Sequence, residues 1–160
     1  MCKARIVIVC MAVLAILVTV QSAAAQGKLQ GVWKITEVTM TGPDARTITA
    51  VQPGFMMFTK KHYAMVGITG DKPRPDLPQK DATDAQKVAT WTPLNAMTGT
   101  YEVKGTTFSF HPVVGKNPIE PGAFTTFDFK IEGNTLSLTT KANKAGPIAN
   151  PLKIKLTRVE

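Results

Sequence analysis

Residues 125–140 read TTFDFKIEGNTLSLTT, and this stretch decides the fold class. Apolar and polar side chains alternate on both sides of a turn signal at Gly133 and Asn134. Because successive side chains of a strand point to opposite faces of a sheet, the pattern predicts an antiparallel hairpin with one buried face on each strand. The residues expected to share the interior faces are Thr125, Phe127, Phe129, Ile131, Leu136 and Leu138.

The same kind of alternation recurs in short runs along residues 26–160, separated by clusters of Gly, Pro, Asn and Asp. About eight strands fit into this length, joined mostly by hairpins. The sequence therefore predicts an all-β domain of about eight antiparallel strands. It leaves two architectures open, a closed up-and-down barrel and a two-sheet sandwich.

Residues 70–96 interrupt the strand pattern. Pro73, Pro75 and Pro78 are unsuited to a ladder, and residues 80–91 are typical of one short helix with Asp81 or Thr83 as its N-cap. Long insertions are often functional, so this segment is either a lid over a barrel mouth or a packed crossover.

Residues 1–25 have the layout of a cleavable Sec signal peptide. Lys3 and Arg5 precede an apolar run over 6–20, and Ala23–Ala25 supplies an A-x-A cleavage site. We expect cleavage after Ala25, a domain over 26–160, and a secreted or periplasmic location. Cys2 and Cys10 both lie in the removed part, so the mature domain would hold no thiol or disulfide.

Composition excludes several classes of protein. The 160 residues are 44% hydrophobic and 19% charged, which is typical of one globular domain rather than a disordered or multi-span membrane protein. Loss of Lys3 and Arg5 leaves 17 of the 19 basic residues against 11 acidic ones, a formal net charge of about +6. The cations are dispersed, so we expect no nucleic-acid partner and at most contact with an anionic envelope surface.

The order of several short motifs resembles bacterial secreted lipocalin-like domain proteins, whose fold is a lipocalin- or calycin-like barrel. These proteins begin with an L-x-G-x-W strand, and Leu29, Gly31 and Trp33 match it. The resemblance covers residues 29–160 and implies a barrel rather than a sandwich. The further matching segments are GFMMFT at 54–59, GTY at 99–101, TFSFH at 107–111 and GNTLSLTT at 133–140.

The resemblance also implies how the barrel closes at one end. A cation near the C-terminus packs across the Trp of the first strand, and Arg158 stands at that place. Arg158 shares strand parity with Leu152, Ile154 and Leu156, so its side chain is expected to point inward against the Trp33 face. Gly31, Trp33 and Arg158 are therefore assigned a structural role.

The fold implied by this resemblance holds a small hydrophobic or amphipathic molecule without covalent chemistry, and an eight-stranded barrel has an interior that is either filled or open to one small ligand. One alternative function is an envelope-interaction protein with a filled barrel and a basic surface. Aromatic, Met and polar residues of the predicted strands are the candidate cavity lining: Phe55, Met57, Tyr63, Met65, Tyr101, His111, Phe127 and Phe129.

Another alternative is an isomerase- or cyclase-type enzyme that uses His111, with Tyr101 or Glu102 as a second group. No nucleophile or phosphate-binding motif supports chemistry, and the two histidines lack the spacing of a metal site. We therefore expect no cofactor, no metal and no catalytic residue. His111 is either a polar anchor in the cavity or, if Phe108 and Phe110 point inward, a residue at the rim or surface.

Overall fold

In the computed structural model, which describes residues 25–160, eight antiparallel strands close into a barrel around one apolar core. Each strand of the barrel pairs with the next along the chain, except that the short strand β2 pairs only with β1 and β9 only with β8. The strands are β1 (Gly31–Met40), β2 (Arg46–Ile48), β3 (Gly54–Phe58), β4 (His62–Ile68), β5 (Leu94–Lys104), β6 (Thr107–Gly115), β7 (Thr125–Glu132), β8 (Thr135–Asn143), β9 (Gly146–Pro147) and β10 (Lys153–Arg158).

The pairing of the last strand decides between barrel and sandwich. β10 pairs with β8 on one side and with β1 on the other, so the sheet has no open edge at this seam. The predicted eight-stranded up-and-down barrel is confirmed, and the sandwich alternative is wrong. Closure suits this sequence because every strand carries one apolar face that needs an interior.

The predicted short helix is present as α1 (Asp84–Trp91). Thr83 is the N-cap: its hydroxyl accepts from the Gln86 backbone N–H, and the Gln86 side chain accepts from the Thr83 N–H at 2.9 Å. This capping box satisfies the free donors at the helix start and sets its first residue. No side chain of α1 is buried. In residues 25–160, no helix has both the length and the apolar character needed to cross a membrane.

Strand β6 runs further than its sequence suggests. Pro112 lacks a backbone donor and would be expected to end the strand at His111, but β6 continues to Gly115. A bulge makes this possible: Gly99 lies opposite Pro112 while Thr98 lies opposite Val114, so the ladder skips one position beside the proline.

The predicted signal peptide lies almost wholly outside the described residues, as do Cys2 and Cys10. At its boundary, residues 25–29 are helical and lead directly into β1. Leu29 ends this turn fully buried in the core. The chain therefore contacts the barrel within a few residues of the predicted cleavage position.

Candidate functional site

Trp33 closes the end of the barrel where β1 begins and β10 ends. Its side chain is fully buried, and the indole N–H donates to the Leu29 carbonyl at 2.7 Å. Arg158 lies opposite Trp33 in the β1–β10 ladder, with its guanidinium carbon 4.1 Å from the centre of the Trp33 ring. A cation at this distance is attracted by the ring face, so the pair joins the first and last strands of the barrel.

The Arg158 guanidinium also donates hydrogen bonds to the backbone just before β1. One of its nitrogens donates to the Gln30 carbonyl at 2.6 Å, and the other donates to the Lys28 carbonyl. Gly31 lies beneath it with a φ of +126°, and a Cβ there would lie 2.6 Å from Arg158 Nη1. Any other residue at position 31 would be strained and would displace the guanidinium. These contacts close this end of the barrel.

An aromatic layer fills the interior next to the closed end. Tyr63 stacks on Phe110 with ring centroids 3.7 Å apart, and Phe58 meets Tyr101 edge to face at 5.3 Å. Because the rings contact one another throughout, this half of the barrel is packed core. The members of the layer are Phe58, Tyr63, Tyr101, Phe108, Phe110, Phe127 and Phe129.

The two tyrosines of the aromatic layer differ in their polar contacts. The Tyr101 hydroxyl donates to the Thr59 carbonyl at 2.7 Å. The Tyr63 hydroxyl is buried and finds no hydrogen-bond partner among residues 25–160. Burial raises the pKa of Tyr63 to about 12, and burial also raises the pKa of Tyr101. Both side chains are therefore neutral phenols at physiological pH.

The other end of the barrel holds a cavity of about 360 Å³. Met56 and Met65 separate it from the aromatic layer, since each is the next inward residue after Phe58 or Tyr63 on its strand. Most of the lining is aliphatic or methionine, and the polar members lie at strand ends or in loops. The lining residues are Ile35, Val38, Met40, Arg46, Ile48, Val51, Gln52, Met56, Met65, Gly67, Ile68, Thr69, Gly70, Asn95, Leu152 and Ile154.

Residues 41–53 form one wall of the cavity mouth. Residues 31–34 of β1 pair with β3, whereas residues 38–40 pair with β2 along the same edge of β1. At this end of the barrel, β2 therefore takes the place of β3. Three hydrogen bonds fasten the segment: the Thr41 hydroxyl donates to the Pro151 carbonyl, the Gln52 amide donates to the Asp71 carbonyl, and the Ile68 N–H donates to the Pro53 carbonyl.

The lid function considered for residues 70–96 does not hold for helix α1, which contributes no lining residue.

The candidate lining residues of β3 and β4 fall on both sides of the barrel wall. Met65 lines the cavity. Phe55 and Met57 lie on the outer face, 36% and 40% exposed, while Met56 and Phe58, which alternate with them, point inward. The placement of Phe55 and Met57 in the lining was therefore wrong. Register decides this facing, because Met56 lies opposite the inward Trp33 and Phe55 lies opposite Lys34.

Four other candidates face the interior below the cavity. Tyr63, Tyr101, Phe127 and Phe129 belong to the aromatic layer, and none of them borders the cavity. The prediction that they point inward agrees with their placement. Their assignment to the ligand lining is wrong, because they pack against one another and fill their part of the barrel.

His111 lies outside the barrel, which corrects its assignment to the cavity. Phe108 and Phe110 point inward, so His111 faces out, 42% exposed, with Nε2 3.6 Å from a Glu102 carboxylate oxygen. Tyr101 points to the other side of the wall, so it shares no site with His111. In the part of the chain that the structure describes, no group of three metal-ligating side chains exists.

Sequence analysis missed most of the cavity lining. Leu152 and Ile154 belonged to a strand face predicted to line an interior, and the structure places both at the cavity. Arg46, Gln52 and Asn95 gave no signal, because each is a single polar residue near a strand end with nothing unusual around it. Only the closure of the barrel brings these distant positions together.

Comparison with known proteins gives one family. The family model of the lipocalin-like domain matches residues 30–152. This range begins just before Trp33 and ends at Leu152, so it includes every strand of the barrel except β10 and every residue named in the cavity lining except Ile154. No curated protein matches the chain.

Proposed function

The chain belongs to the lipocalin-like domain family, and from this premise we propose that it binds a small apolar or amphipathic molecule in the cavity at the open end of its barrel. The observation that carries the proposal is the 360 Å³ cavity itself. Its volume lies in the usual range of small-molecule sites, roughly 300–1,000 Å³. Its aliphatic and methionine walls suit an apolar ligand of irregular shape.

The proposed role is binding without chemistry. Arg46 is the only charged residue that borders the cavity in the described chain, and a guanidinium offers hydrogen-bond donors but no acceptor. General acid–base catalysis needs a group that exchanges a proton near the working pH. The His111–Glu102 pair is on the outside of the wall, beyond reach of a molecule in the cavity. These observations support a carrier or sensor of a small molecule.

Filling the cavity should abolish binding while leaving the barrel intact. Val38 borders the cavity from β1, opposite Ile154 and Ile48. Replacing it by Trp puts an indole into the vacant volume, so we expect the affinity for a neutral apolar probe such as N-phenyl-1-naphthylamine to fall at least about tenfold, or ~1.4 kcal/mol. Fluorescence titration of residues 26–160 measures the affinity.

Val66 supplies the matched control for Val38. It is a valine on the outer face of β4, 44% exposed, beside the lining residue Met65. Val66→Trp adds the same indole away from the cavity and should bind the probe as the unchanged protein does. Equal affinity in Val38→Trp and the unchanged protein, or the absence of saturable binding to the latter, would contradict the proposed function. Thermal melting of both variants checks that the barrel is folded.

We further propose that the chain is exported and cleaved after Ala25. Within the described residues, Gln26, Lys28 and Leu29 already contact the barrel, and all three are residues that cleavage would retain. Ala25→Leu should block processing, because small residues are needed at the two A positions of the A-x-A site. Ala24→Leu changes the middle position, which tolerates other residues, so this variant should still be cleaved. Intact-mass measurement of the exported protein should find Gln26 first. A chain that keeps Met1 in the unchanged protein would contradict the proposal.

A further inference from the structure

One charged residue of the described chain, Arg46, lies at the rim of the cavity. Arg46 begins β2, lies opposite Met40 in the β1–β2 ladder, and borders both the cavity and solvent. Within residues 25–160, no ion pair and no side-chain hydrogen bond engages its guanidinium. By contrast, the other inward arginine, Arg158, donates to several backbone carbonyls. Arg46 therefore keeps its donors available at the entrance to an apolar chamber.

The remaining polar groups at the mouth leave the charge of Arg46 uncompensated. Among the described residues, no Asp or Glu borders the cavity. The Thr69 hydroxyl donates to the Pro93 carbonyl at 3.0 Å, and the Gln52 amide donates to the Asp71 carbonyl at 3.1 Å, so both groups hold the mouth together. Asn95 makes no side-chain hydrogen bond to the described part of the chain. Among the polar side chains at the mouth, Arg46 and Asn95 thus have no hydrogen bond to the described chain, and both can meet a polar ligand atom.

From this arrangement we propose that the ligand is a single-chain amphiphile ending in a carboxylate, with its chain in the cavity and its carboxylate at Arg46. The proposal rests on the proposed function and adds the chemical class of the ligand. A guanidinium offers two parallel N–H donors that match a carboxylate. The 360 Å³ volume is near the lower end of ligand sites, which favours one short chain over a two-chain lipid.

The test compares two ligands that differ only in the head group. Decanoate and 1-decanol are titrated against bound N-phenyl-1-naphthylamine, and displacement gives the affinity of each. In Arg46→Gln we expect decanoate to bind about fivefold more weakly, the scale of an ion pair at a solvent-exposed rim. Decanol should change by less than about twofold, because its chain meets the same walls. Arg46→Lys should retain part of the preference for decanoate over decanol, since it keeps the positive charge and loses the two parallel N–H donors of the guanidinium.

Lys153 provides the matched control for Arg46. It lies on β10 opposite Thr39, near the same end of the barrel, is exposed, and does not border the cavity. Lys153→Gln removes the same unit of charge and should leave the affinity for decanoate unchanged. Raising the NaCl concentration from 0.01 to 1 M should weaken decanoate binding to the unchanged protein and leave decanol binding little altered.

Each outcome of this comparison decides the question. Equal loss of decanoate affinity in Arg46→Gln and Lys153→Gln would mean that the net positive charge of the protein, and not a site at Arg46, attracts decanoate. That result would overturn the proposed carboxylate site. Unchanged decanoate affinity in Arg46→Gln, with both ligands still binding, would overturn it while the proposed function stands. If the probe binds but neither decanoate nor decanol displaces it, this inference fails while the proposed function stands. If the probe itself does not bind, the proposed function and this inference fail together.

Discussion

Replacing Trp33 by Ala is expected to lower the free energy of unfolding by about 3–5 kcal/mol, the scale of truncating a large buried aromatic side chain. The side chain is fully buried at the closed end, so truncation leaves a cavity among core residues. It also removes the indole donor to the Leu29 carbonyl and the ring beneath Arg158. Chemical denaturation followed by far-UV circular dichroism measures the loss.

The second tryptophan makes a matched control for this substitution. Trp91 ends helix α1 with 54% of its surface exposed, and the Lys116 Nζ lies 5.9 Å from the centre of its ring. Trp91→Ala should therefore change the free energy of unfolding by no more than about 0.5 kcal/mol. If the two Trp→Ala variants lost equal stability, Trp33 would not anchor the barrel as its burial implies. Trp33→Phe, which keeps an aromatic face for Arg158, should lie between them.

The closed end was the most predictable part of the molecule. Strict alternation fixes which residues of β10 share a face, so the inward direction of Arg158 followed from Ile154 and Leu156 in its own strand and from Leu152 just before it. The hairpin at 125–140 was predictable for the same reason, because its turn and both strands are local in sequence. Barrel closure was different, since pairing of β10 with β8 and β1 joins distant segments and followed only from the family resemblance.

Strand β3 illustrates why the cavity could not be read from the sequence. The run Phe55–Phe58 consists of four apolar residues, so it contains no polar residue to mark the outer face. A shift of one position exchanges the two faces, and only the register against β1, with Met56 opposite Trp33, selects one. The mouth adds a second difficulty, because β2 supplies lining residues from a strand of three residues whose pairing has no local signal.

The aromatic layer explains why the interior is half filled and half open. An eight-stranded barrel is just wide enough for its own side chains, and large rings on β3 to β7 use all of that width near the closed end. Toward the other end the inward positions carry smaller side chains, such as Val38 and Gly67, so the same width leaves space. Ring size along the strands thus sets the depth of the cavity.

Tyr63 and Tyr101 should respond in opposite ways to loss of their hydroxyl groups. The Tyr101 hydroxyl donates to the Thr59 carbonyl, so Tyr101→Phe should cost about 1 kcal/mol of stability at neutral pH. The Tyr63 hydroxyl is buried without a protein partner in the described chain, so Tyr63→Phe removes a group that opposes folding. We expect Tyr63→Phe to be neutral or up to about 1 kcal/mol more stable by the same denaturation experiment. A loss as large as that of Tyr101→Phe would contradict this account.

The pH dependence of the same pair of proteins isolates the phenol of Tyr63. Burial raises its pKa from 10.0 to about 12, so the folded protein holds this proton after the unfolded chain has released it. Ionisation of Tyr63 therefore leaves the free energy of unfolding unchanged below pH 10. As the pH rises toward 12, it lowers that free energy by up to about 2–3 kcal/mol in total. The difference in unfolding free energy between the unchanged protein and Tyr63→Phe should therefore move in favour of the variant across this interval. A constant difference from pH 9 to 12 would mean that the hydroxyl meets water in the folded barrel, and the aromatic layer would then be open rather than packed.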